Sequence, residues 1–296
     1  MVVTRATVEK KFEDRARHKP IYLQMTFVLP ALVFLLVIIM ALFAPLLAPY
    51  SPIQPVPVDR LMPPFFMDGG STDHILGTDG LGRDILSRVI HGAQISLSVA
   101  VMVILITSSV GTVLGIISGY LGGRVDSFLM RVTDVSLSFP PILIAILFAA
   151  AIGPGYWTVV IALSMLGWAP YARLIRGESL KIREADFVAQ ARIIGASPFR
   201  IMFRHIFPNV INPLIIIVTL SVGMVILTEA VLSFLGVGIP PPTATWGNMV
   251  NDGRSYLSNA WWISLFPGIA IGLVVLAGNF LGDWLRDKMD PRLRQI

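Results

Sequence analysis

Long apolar runs alternate with short polar ones along the chain, and the apolar runs set its organisation. Stretches from about Thr26 to Ala48, Ile95 to Gly119, Val132 to Ile152, Ile211 to Leu235 and Trp261 to Leu281 are each long enough, at about 1.5 Å per helical residue, to cross a hydrocarbon core of about 30 Å. A further run, from about Trp157 to Tyr171, is shorter and carries Pro170 near its end. The pattern predicts an all-α integral membrane protein with six transmembrane helices. Residues 1–25 form a polar N-terminal segment and 26–48 the first span. Residues 49–92 form a proline-rich segment outside the membrane. Residues 93–285 form a core of five spans with a polar loop at 172–209, and 286–296 form a tail. The first apolar run is too long for the apolar region of a secretory leader, and no small-residue cleavage pattern follows it, so it reads as a retained span.

Finer features qualify individual spans. Gly111 and Gly115 lie four apart in the second, a small-residue face suited to close helix contact. Residues Gly119 to Asp126 turn the chain, and Pro140-Pro141 predicts a kink inside the third span. Glu229 lies inside the fifth, where an ionised group faces protein or water rather than lipid. It either meets the amino terminus of a passing substrate or pairs with a neighbouring helix near the outer mouth. Trp261 and Trp262 suit a membrane interface.

The 172–209 loop contains the most informative polar stretch, Glu184 to Asn209. Phe187, Val188, Ala191 and Ile194 fall on one side of a three-turn helix that should stop at Gly195. Ser197-Pro198 then reads as an N-cap followed by proline at the first helical position. Phe199, Met202, Phe203 and Ile206 mark the apolar side of a second helix, with Arg200, Arg204 and His205 among its polar positions. The result is two short amphipathic helices set at an angle across a glycine, a knob offered to something outside the membrane. A fifth span should begin after Pro208-Asn209.

Composition agrees with this picture. Of 296 residues, 55% are hydrophobic and 14% charged, with a mean hydropathy of +0.75, well short of the charge a soluble domain carries. Cysteine is absent, which removes disulfides, thiolate metal sites and thiol nucleophiles together. Of the 23 Lys and Arg, only Arg60, Arg83, Arg88 and Arg254 fall on one side of the six expected spans. That asymmetry predicts cytoplasmic termini and a cytoplasmic Gly195 loop in a multi-pass protein of the inner membrane, and it explains the basic balance without nucleic acid. No Gly-x-x-x-x-Gly-Lys phosphate loop is present, so the chain does not hydrolyse ATP by that route. His18, His74, His91 and His205 lie outside the apolar runs and form no i, i+4 pair. No catalytic or metal site is therefore expected.

Three stretches carry a family resemblance. Aligned on Gly195 and Pro208, Ala189-Gln190-Ala191 and the residues following resemble the Glu-Ala-Ala…Gly…Ile-x-Leu-Pro loop of ABC importer permeases, without its leading Glu. Leu76-Gly77-Thr78-Asp79, Gly82-Arg83-Asp84 and Ser87-Arg88 resemble the LGTDxxGRDxxSR signature of the smaller permease subunit in peptide and nickel importers. Gly282-Asp283, Arg286-Asp287 and Asp290-Pro291 resemble that subunit's GDxLRDxxDP ending. The resemblance implies a methionine-importer-like core of five helices. It implies as partners a second homologous permease, two ATPase subunits that carry ATP and Mg, and an extracytoplasmic substrate-binding protein. It also implies ATPase coupling through Ala189, Gln190, Ala191, Gly195, Ala196, Ser197, Arg204 and Pro208. Di- or oligopeptides are the expected substrate, nickel the alternative, and a secondary transporter the reading from another class. From the residues themselves, Thr78-Asp79-Gly80 is a turn and Asp84 is placed to pair with Arg88 one turn on. Asp79, Arg83 and Asp84 either order the entrance to the second span or touch the binding protein.

Overall fold

The computed structural model describes residues 21–289; the basic N-terminal residues and the terminal Asp290-Pro291 lie outside them. Helix α1, Ile21–Leu42, breaks at Phe43, and a single turn, Ala44–Leu47, follows. Pro45 has no N–H to give the Ala41 carbonyl, so the helix expected to reach residue 48 ends earlier. Irregular backbone then leads to α2, Ile85–Leu121, which begins ten residues before the expected Ile95. Its first turns are polar but covered by protein. The Asp84 carboxylate caps them, accepting from the N–H and the Oγ of Ser87 at 2.7 Å each. Asp84 therefore does not pair with Arg88 as the spacing suggested; it bonds Ser87 and His74 instead.

The turn after α2 is a single residue, Gly122 at φ +67°, much tighter than the eight-residue loop expected. Helices α3, Gly123–Ser138, and α4, Pro141–Ile152, follow, bent by 80° at their junction. The prolines cause more than the expected kink. Phe139, which precedes Pro140, is forced to extended backbone at φ −91°, ψ 132°, so the helix breaks outright.

Helix α5, Tyr156–Arg183, runs straight through Pro170 and twelve residues past the expected end at Tyr171. What holds it is contact with α2. A Cβ at Gly111 would lie 2.5 Å from the Trp168 carbonyl, one at Gly115 2.8 Å from that of Ala172, and one at Gly119 2.6 Å from the Ser179 Cβ. Three glycines on one face let the two backbones close together, and Gly119 extends the pair read from sequence.

A short helix, α6, Asp186–Ile193, precedes α7, Pro198–Phe234. The second amphipathic helix and the fifth span, expected as separate elements, are this one helix of 37 residues. A π turn at Met202–Ile206 makes that continuity possible: the Phe207 N–H bonds the Met202 carbonyl, five back, just before Pro208. The Asn209 side-chain amide also donates to the His205 carbonyl at 2.7 Å. Helices α8, Trp246–Gly253, and α9, Trp262–Met289, complete the chain. At Gly223, α7 lies so near α9 that a Cβ would sit 3.0 Å from the Cα of Val275. Phe27 of α1 stacks on Trp284 of α9 at 4.2 Å.

Among the described residues, α2, α5, α7 and α9 are long and apolar enough to cross a membrane, with a fifth span if the bent pair α3–α4 is taken as one; α1 has a shorter apolar stretch, Phe27–Leu42. The protein is thus an all-helical multi-pass membrane protein. Among the described residues, one buried apolar cluster, with Ile116, Ile175, Val188, Ile201, Ile206 and Val210, seats the α6–α7 corner on the bundle.

Candidate functional site

The α6–α7 corner is built as its sequence dictates. Gly195 takes φ +79°, a left-handed conformation that L side chains rarely adopt. Its N–H bonds the Arg192 carbonyl at 3.0 Å, and the Ala196 N–H bonds the Ala191 carbonyl at 3.0 Å, the paired closure of a Schellman motif. Ser197 Oγ then accepts from the Arg200 N–H, and Pro198 opens the next helix.

The faces differ from the apolar spacing. Val188, Ala191, Ile201 and Ile206 are buried, whereas Phe187, Ile194, Phe199 and Phe203, assigned by spacing to the apolar sides of the two helices, are exposed. In α7 the π turn sets the pattern: its extra residue puts Ile201 and Ile206, five apart, on one buried face and leaves Phe199 and Phe203 outside it. Ile201, which the helical spacing missed, becomes the anchor. Arg192 lies over the Tyr120 ring at 5.4 Å and ties α6 to the end of α2.

Outside these anchors the corner presents a shallow recess of about 600 Å³, lined among others by Phe187, Gln190, Ile194, Arg200, Arg204 and His205. Ile193 and Ile194 stand 84% and 83% exposed beside it. Ala189, Gly195, Ser197 and Pro208 are also at the surface, while Ala191 is packed beneath and Ala196 is half-buried. Of the eight coupling residues read from sequence, the structure gathers Gln190, Ala191, Ala196 and Arg204 around the recess. Two bare isoleucines amid cationic side chains suit a protein surface with an apolar cleft and an acidic rim.

At the other end of the bundle, the Leu76 to Arg88 stretch forms a compact polar clasp. Asp79 accepts from the Leu81 N–H at 2.8 Å and the Arg83 N–H at 3.0 Å, and from Arg83 Nε at 2.7 Å. Asp252 of α8 meets Arg83 at 3.3 Å and Arg88 at 3.2 Å. His74 Nδ1 lies 3.0 Å from Asp84. Asp79, Arg83 and Asp84 are 2%, 7% and 2% exposed, so their side chains are taken up by bonds inside the molecule. Burial pushes the Asp252 carboxyl above its ordinary range, against the pull of Arg88 and Arg83. Trp262 Nε1 donates to the Thr78 carbonyl at 3.1 Å and Trp246 Nε1 to that of Val89 at 2.9 Å, which fixes α8 and α9 to the clasp. Asp252 and the two tryptophans lie more than 150 residues along the chain from their partners, too far for any local spacing to reveal.

Glu229 is fully buried. Ser96 Oγ of α2 donates to it at 3.0 Å and Ser233 Oγ of α7 at 2.7 Å. Among the described residues no three or more His, Cys, Asp and Glu side chains are grouped as a metal site would need.

Residues 111–295 match the family described as binding-protein-dependent transport system inner membrane component. A di/tripeptide transport system permease protein of Pseudomonas aeruginosa (strain UCBPP-PA14) is 41% identical, over 89% of this chain and 87% of its own. A dipeptide transport system permease protein of Bacillus subtilis (strain 168) is 41% identical, over 89% and 81%. A glutathione transport system permease protein of Pectobacterium atrosepticum is also 41% identical, over 88% and 85%.

Proposed function

The chain belongs to the binding-protein-dependent transport system inner membrane components, and on that premise we propose that it is the permease subunit of an ATP-driven importer of di- or oligopeptides. The substrate class is carried over from relatives named for di/tripeptide, dipeptide and glutathione transport. The observation that carries the coupling is the α6–α7 corner: a rigidly anchored knob with bare apolar tips, formed without any phosphate-binding loop in the chain itself.

In this reading the corner faces the cytoplasm and sits in a cleft of an ATPase subunit. The clasp around Asp79 and Asp252 faces outward, towards a substrate-binding protein. A second, homologous permease completes the pathway, and two ATPase subunits carry ATP and Mg. When ATP draws the ATPases together, the knob moves as one body because Val188, Ala191, Ile201 and Ile206 bind it to α2, α5 and α7. The long helix α7 carries that movement past Glu229, whose contact with Ser96 makes α2 move with it. The bundle alternates between inward-facing and outward-facing arrangements, and hydrolysis resets it.

The test is ATP hydrolysis by the assembled complex in lipid with its binding protein, challenged with dipeptides, longer peptides and Ni²⁺. Stimulation by peptide is the expected result. Stimulation by Ni²⁺ alone would overturn the substrate, and transport by this chain without ATPase partners would replace the importer with a secondary transporter.

A further inference from the structure

The break between α3 and α4 opens into a pocket of about 360 Å³ that the polar centres above do not use. Its walls come from α2, α3, α5 and α7, and its polar lining is all hydroxyl: Thr107, Ser136, Tyr171, Ser221 and Thr228, with no carboxylate, ammonium, guanidinium or imidazole. The hydroxyl hydrogens of Thr107, Ser136, Ser221 and Thr228 are spent on carbonyls of their own helices, at 2.7–2.9 Å. Their oxygens remain as acceptors. The carbonyls of Ser136 and Leu137, both at the pocket, would bond the N–H groups four residues on. Those positions are Pro140 and Pro141, which have none. The break thus adds two main-chain acceptors to the hydroxyl oxygens.

Tyr171 is the exception in this wall. It is 3% exposed, and its hydroxyl, closed off from solvent beside Ser221 and Thr107, backs the wall rather than opening into the pocket.

The face onto which the pocket opens is not a lipid face. Asp134 of α3 and Arg173 of α5, each within three residues of lining positions, form an ion pair that is 63% and 55% exposed. An exposed ion pair within a spanning bundle faces water or protein, because hydrocarbon would not solvate it. Irregular backbone at that depth is tolerated for the same reason.

We propose that this pocket receives the main chain of the transported peptide, its free acceptors taking peptide N–H groups. The absence of charge suits a site that grips backbone rather than termini or particular side chains, and α3–α4 breaks where it does to supply bare carbonyls. The inference rests on the reading of the chain as a peptide permease.

The experiment uses the complete complex in liposomes with its binding protein. Benzoylphenylalanine at Phe139, an exposed aromatic position lining the pocket, should capture radiolabelled dipeptide only with ATP and binding protein present, and the same group at Phe43 should not. Thr228→Val, which removes one lining acceptor at nearly unchanged size, should lower peptide taken up per ATP hydrolysed by about three- to tenfold, the worth of one hydrogen bond. A merely structural role would leave that ratio unchanged. Uptake without capture at Phe139, or an unaltered ratio in Thr228→Val, would sink the pocket while leaving the importer standing. No peptide uptake by the wild-type complex would sink the importer and the pocket with it.

Discussion

Gly195 shows how a single residue decides what the α6–α7 corner can be. A Cβ there meets nothing within 4 Å, so size is not the constraint; the φ of +79° is. Gly195→Val should therefore fail through backbone strain of about 1–2 kcal/mol, roughly a five- to thirtyfold shift away from the closed turn. Gly195→Asn, which tolerates the left-handed region, should remain close to wild type. Peptide uptake and ATP hydrolysis measured on both variants check this. Loss of coupling in the valine variant alone is the expected outcome, and equal behaviour of the two would show that the turn's handedness does not matter. Three of the residues that build this turn, Gly195, Ser197 and Pro198, were legible because each acts on its own backbone or on amides within three residues. Ile201 was not, since its burial depends on a π turn that no local spacing announces.

At the level of elements, the contact of α2 with α5 is made through three glycines and should be unforgiving. Gly115→Leu would drive a side chain onto the Ala172 carbonyl, 2.8 Å from the first carbon added, so the variant should fail to accumulate or should melt well below wild type in detergent. Gly177→Ala, on the same α5 but with nothing within 4 Å, should hold or gain about 0.5–1 kcal/mol. Thermal melts of the two purified variants separate close packing from mere helix content. The sequence marked these helices but misjudged their ends, and the errors share a cause. Prolines at 170 and 208 looked like stops, yet packing against α2 and the π turn carried α5 and α7 past them. Pro140-Pro141 looked like a kink, and with two donors missing in succession the helix broke. Hydropathy also missed the polar first turns of α2, which are covered by Pro52, Asp79 and Asp252 rather than by lipid.

For the whole molecule, orientation is the property to test. The chain contains no cysteine, so single cysteines report without interference. Cys at Ile194 should react with an impermeant maleimide only from the cytoplasmic side and be shielded once the ATPases bind; Cys at Leu257, 56% exposed beyond α8, should react only from outside. The reverse pattern would overturn the orientation proposed for the knob. The length of α7 has a mechanical consequence. At about 1.5 Å per residue, Pro198 lies roughly 37 Å from Gly223 and Glu229 roughly 9 Å beyond it. If the helix pivots where Val275 grips it, this is a lever of about four to one. A swing of 4 Å or so at the knob would then arrive at Glu229 as about 1 Å, delivered with correspondingly greater force. Such gearing suits prising a tightly packed bundle apart rather than sweeping a substrate along.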